Sequence, residues 1–142
     1  MNSLLTLHLV AVGIWIGVVA AETVIELDGK KDESSHFSAS KLHFMTDIWI
    51  EIPAFTIVFI TGVLMMTKAH FSGLFLAKVI FGLIAIVANL ICVYGVFVRN
   101  RYATNRDIYG VRSVEPILVR GGVGFVPSFI AAISIAMYLA FL

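Results

Sequence analysis

Charge is scarce in this chain: 13% of its 142 residues are Asp, Glu, Lys or Arg, against 60% that are hydrophobic. A water-soluble domain needs more polar surface than that, so lipid is the expected solvent, and a mean hydropathy of +0.99 agrees. Cysteine is nearly missing as well. The single Cys92 excludes an internal disulfide and a CxxC metal motif, and inside its apolar run it reads as a small core residue. Lys and Arg are absent from the opening Met1-Asn2-Ser3, where a cleavable secretory signal would carry them. The apolar run that follows is a full membrane thickness long, so it is expected to persist as a helix of the mature protein. The apolar runs also lack the alternation of barrel strands, which leaves helices as the way to satisfy the backbone in lipid.

What the chain does have is hydrophobic length. A hydrocarbon core of about 30 Å needs about 20 apolar residues at 1.5 Å rise each. Stretches at about 4–26, 42–67, 74–98 and 122–142 supply it. The expectation is an all-α integral membrane four-helix bundle, with residues 1–142 forming a single transmembrane domain. The polar stretch from Leu27 to Ser35 reads as a solvated loop and 68–73 as a tight turn. The segment from Arg99 to Gly121 is long enough for a short interfacial helix. One side of the membrane would hold Lys30, Lys31, Lys41, Arg99, Arg101, Arg106, Arg112 and Arg120; the other would hold Lys68 and Lys78. The positive-inside rule places the rich side in the cytoplasm and both termini outside. The basic third loop suits anionic lipid headgroups, which explains it without invoking nucleic acid.

Ionisable residues inside the spans are the most informative feature, since each costs about 2.5–3.5 kcal/mol at mid-membrane on insertion scales. Span one ends with Glu22 and Glu26; span two opens with His43, Asp47 and Glu51. The helices are antiparallel, so all five belong to the same, cytoplasmic half. At about 100° per residue, His43, Asp47 and Glu51 form one stripe, and Glu51 lies about 12 Å deeper than His43. Pro53 follows, freeing the carbonyl of Trp49 as a further oxygen ligand or a hinge. Carboxylates converging in low dielectric need protons or a cation. Carboxylate plus imidazole suits Zn, Mn or Fe(II), so Glu22, Glu26, His43, Asp47 and Glu51 are the candidate ligands. A competing reading pairs Asp47 and Glu51 with Arg99 or Arg101 in a purely structural ion-pair network.

Span one carries a second pattern. His8, Trp15, Glu22 and Glu26 fall within about 40° of one another, while Gly13, Gly17 and Ala21 form a small-residue series suited to close approach by another helix, in this chain or in a homodimer. The histidines allow an alternative site. His8 and His70 lie at similar depth on the outer side and could flank a b-type haem, although His70 falls in a turn and His36 in a polar loop.

Leu7-His8-Leu9 followed by Gly13, Trp15 and Gly17 resembles the first helix of the copper-resistance protein D family and related small four-helix, haem-associated bacterial membrane proteins. Thr61-Gly62-Val63-Leu64 and Lys78 are loosely similar as well. The resemblance covers the first half of the chain. It implies a prokaryotic inner-membrane protein handling metal or haem, with His8 as the carried-over residue. The Glu22, Glu26, His43, Asp47 and Glu51 set is not part of that family's pattern. Taken together, the sequence reads as a polytopic inner-membrane protein that binds a divalent transition-metal cation for transport, sensing or redox chemistry, with a haem-binding electron-transfer protein or oxidoreductase as the alternative. The letters leave enzyme, transporter and sensor open.

Overall fold

In the computed structural model, which describes residues 3–66 and 73–141, the chain is all-α. Its elements are α1 (Ser3–Gly29), α2 (Glu33–Thr46), a single π-helical turn (Asp47–Glu51), α3 (Ile52–Met66), α4 (Gly73–Thr104) and α5 (Ile108–Ala140). α2, the π turn and α3 run on as one continuous helix, so four helices are long and apolar enough to cross a membrane. No strand occurs among the described residues. The packing divides the chain into two compact units, Met1–Lys68 with Val96–Glu115, and Ala69–Gly95 with Pro116–Leu142.

Within the first unit, α1 packs along α2, the π turn and α3. The buried residues of α1 are Ala11, Trp15, Val18, Glu22 and Gly29, spaced by four, three, four and seven, which marks a coiled-coil-like seam. Residues outside the seam are large and apolar yet exposed, among them Leu9, Val24, Ile50 and Ile60. That is the inverse of a soluble protein. The apolar surface faces outward while Glu22, Asp47, Glu51 and Arg99 are buried, as a lipid solvent requires. At the end of the seam Gly29 meets α2 so closely that an added Cβ would lie 2.5 Å from the Cβ of Ala39.

The turns are tighter than the sequence suggests. α1 extends to Gly29 and α2 already begins at Glu33, so the expected loop from Leu27 to Ser35 shrinks to 30–32. Asp32 caps α2 by accepting from the Ser35 N–H at 2.8 Å, which holds its carboxyl below the usual range and supplies a start signal for a helix that precedes the apolar run. His36 therefore sits in α2, not in a loop, 3.9 Å from Glu115. The expected interfacial helix between spans three and four is likewise absent among the described residues. α4 runs on to Thr104 and α5 restarts at Ile108.

That second turn is built from backbone bonds. Arg106 adopts the left-handed conformation (φ 57°), its N–H donates to Ala103 O (3.1 Å) and the Asp107 N–H donates to Tyr102 O (3.0 Å). These are the two bonds of a Schellman C-cap, with arginine where glycine is usual. Asp107 then caps α5 by accepting from the Gly110 N–H at 2.9 Å. Gly110 admits no side chain, because a Cβ there would overlap the ring of Tyr102.

In the second unit, glycines bring α4 and α5 together. A Cβ on Gly95 would fall 2.8 Å from Leu118, one on Gly121 would collide with Cys92, and one on Gly124 would lie 3.2 Å from Ala88. Close backbone approach of this kind replaces the hydrophobic drive that lipid removes. α5 passes through Pro127 without a break, and Phe125 stacks on Phe129 at 5.0 Å. By contrast, a Cβ on Gly13 or Gly17 would meet nothing within 4 Å. The small-residue face of α1 is therefore not used by another helix among the described residues.

Replacing Asp107 with Ala should cost about 0.5–2 kcal/mol of stability and Asp107→Asn much less. Thermal unfolding in detergent of the two variants beside the native chain checks this ordering.

Candidate metal centre

His8, Trp15 and Glu22 are seven residues apart along α1, and each presents a polar group to the antiparallel helix at a different depth. His8 Nδ1 lies 2.8 Å from Thr61 Oγ1. The Thr61 hydroxyl already donates to the Ile57 carbonyl (2.6 Å), so the imidazole N–H is the donor between them. Trp15, 1% exposed, donates its indole N–H to Glu51 Oε1 at 3.2 Å. Glu22 Oε1 accepts from Thr46 Oγ1 at 2.8 Å. One turn further on, Glu26 reaches His43 Nδ1 at 2.5 Å. The polar side chains thus pair off across the seam in step with the antiparallel register.

The π turn decides where the deeper acids point. The Ile52 N–H donates to Asp47 O, five residues back, so this turn takes up one more residue than an α turn. In an uninterrupted α-helix Glu51 would drift by about 40° from Asp47; the wider turn offsets that drift. Both acids stay in the seam, Asp47 at 0% and Glu51 at 2% exposure, while Trp49 and Ile50 between them face out. Pro53, which has no N–H to give to Trp49 O, sits just beyond and removes an α-helical bond at this point.

At the centre are Glu22, His43 and Asp47, each offering one ligand atom, all within 4.8 Å of one another. His43 Nε2 is 3.6 Å from Glu22 Oε2 and 3.5 Å from Asp47 Oδ1. Those separations are long for hydrogen bonds. They match the roughly 3.4 Å between two ligands that each sit about 2.1 Å from a tetrahedral ion. Both oxygens of Asp47 are buried, and no amide, hydroxyl or imidazole among the described residues donates to them; the carboxyls of Glu51 and Glu22 stand against it. A buried carboxylate left this way costs free energy unless a proton or a cation offsets it.

Glu26 plays a different part. Arg99, 3% exposed, grips it as a fork, Nη1 to Oε2 at 2.7 Å and Nη2 to Oε1. This places the guanidinium on Glu26 and not on Asp47 or Glu51, while Arg101 is exposed. The pairing of Asp47 and Glu51 with Arg99 or Arg101 is therefore not formed among the described residues, because Arg99 is taken up by Glu26. With Glu26 as the acceptor, His43 Nδ1 is the donor, and Nε2 is turned toward Glu22 and Asp47. Carboxylate to Nδ1–H with Nε2 presented is the outer-shell arrangement that orients metal-binding histidines.

Of the five residues expected from sequence, the structure brings Glu22, His43 and Asp47 into one cluster. Glu26 stands behind His43, and Glu51 stands beside Asp47 held by Trp15. Thr46 was not anticipated: its Oγ1 lies 2.8 Å from both Glu22 Oε1 and the His43 carbonyl. Its place one residue before Asp47 was the available signal. For the haem alternative, His8 is engaged with Thr61 and His70 lies outside the described residues.

Arg99→Met should destabilise the chain by about 3 kcal/mol or more, because it strands Glu26, whereas Arg99→Met combined with Glu26→Gln should recover most of the loss. Thermal unfolding of both variants in one detergent is the check. Comparison with protein families, with curated proteins and with solved structures finds no match to this chain.

Proposed function

We propose that this chain is a polytopic membrane protein of the prokaryotic inner membrane that binds a divalent transition-metal cation through Glu22, His43 and Asp47. The observation that carries the reading is Asp47: wholly buried, with no amide, hydroxyl or imidazole donor at either oxygen among the described residues, and placed where a second carboxylate and an imidazole nitrogen converge. Two carboxylates and a neutral imidazole neutralise a dication and suit Zn, Mn or Fe(II) better than Mg or Ca. Three protein ligands leave at least one coordination position open. Such a site exchanges its ion or presents it to a further ligand, which favours transport, sensing or redox work over a purely structural role. The excess of Lys and Arg near this end of the helices supports a cytoplasmic placement of the site and external termini. Glu26 and Arg99 serve the site from behind by orienting His43.

Elemental analysis of the purified protein, prepared without chelators, should find about one equivalent of metal. Titration of the metal-stripped protein with Zn²⁺ and Mn²⁺ should then show Asp47→Asn binding at least ten-fold more weakly. Glu26→Gln, a change at the orienting residue, should weaken binding by about 10–100-fold. A native chain that takes up neither ion rules the reading out.

A further inference from the structure

A second feature lies in the first unit, away from the acidic cluster. A cavity of 560 Å³ opens between α2 and the last turns of α4, and two cations, Lys41 and Arg106, line it together with neutral residues only. Both side chains are exposed. Arg106 lies 6.0 Å from the centre of the Phe37 ring, which fixes where the guanidinium stands without neutralising it. Among the described residues no carboxylate lines it, so the charge there is positive.

The lining is also graded. The α2 residues that face the cavity run from Ser34 to Met45 at helical spacing, a rise of about 16 Å along the axis. At one end are the hydroxyls of Ser34, Ser38 and Thr104; at the other are Phe44 and Met45, where the long apolar part of the span begins. A soluble anion would use only the first end. A molecule with a phosphate at one end and an alkyl chain at the other would use the whole length, and the charge and polarity complement it in the right order.

We infer that this cavity is a binding site for one anionic phospholipid, its phosphate held by Lys41 and Arg106 with the nearby hydroxyls and its acyl chain laid over Phe44 and Met45. The inference is independent of the metal site and shares no residue with it. It places the lipid where the first turns of α2 meet the turn after α4, so that the arginine forming that left-handed turn is also a ligand.

The test is the association of spin-labelled phosphatidylglycerol and phosphatidylcholine with the protein in mixed vesicles, read by electron paramagnetic resonance. The native chain should prefer the anionic lipid. Lys41→Gln combined with Arg106→Gly should lower that preference by about 25-fold, or about five-fold per cation removed. Glycine tolerates the Arg106 backbone conformation, so this variant keeps the turn. A control pair, Lys30→Gln with Arg112→Gln, removes the same charge from exposed positions outside the cavity and should change the preference less than two-fold. Equal losses in the two pairs would show diffuse charge attraction and overturn the proposal. So would an absence of preference in the native chain, or displacement of the labelled lipid by millimolar inorganic phosphate, which would mark a pocket for free anions.

Discussion

Lipid offers a buried charge nothing, and that constraint organises the first unit. Each polar group carried inward by α1 has to be met by another from the antiparallel helix at the same depth, or by the end of α4. The register between α1 and the helix formed by α2 and α3 is therefore set less by apolar packing, which would tolerate sliding in a lipid solvent, than by a series of matched pairs: His8 with Thr61, Trp15 with Glu51, Glu22 with Thr46, Glu26 with His43. A shift of one helical turn would strand all of them together.

His43 joins two environments. Its Nδ1 faces a fully compensated ion pair, Glu26 with Arg99, and its Nε2 faces a set of acids that has no counter-charge of its own. The arginine thus acts on the acidic cluster at one remove. By gripping Glu26 as a fork, it fixes the carboxyl that His43 Nδ1 meets and with it the plane of the ring between them.

Much of this was legible in the letters, for identifiable reasons. The four spans follow from hydropathy because lipid leaves the backbone few choices, and helical spacing puts Glu22 with Glu26 on one face of span one and His43, Asp47 and Glu51 on one stripe of span two. The role assigned to each acid did not follow. Arg99 is more than seventy residues from Glu26, and nothing local says that it chooses Glu26 over Asp47. The π turn was visible only as Pro53, a residue equally compatible with a kink. The loops were overestimated for another physical reason: hydropathy reports where the hydrocarbon ends, whereas helices continue past it when a cap is present, as Asp32 and Asp107 show.

The π turn has a reach beyond the acids it contains. A helix with one added residue is out of phase by about 100° with the same helix lacking it, so every side chain of α3 owes its facing to those five residues. Thr61 meets His8 fourteen positions after Asp47 because the phase was reset at Asp47, about 20 Å away along the axis at 1.5 Å per residue. If the turn relaxed to a regular α-helix, the far half of span two would rotate as a shaft does when a clutch slips. The acidic cluster and the histidine near the other end of α1 would then lose their alignment in one movement. Two polar stations in separate halves of the membrane are in this way geared to a single local distortion of the backbone.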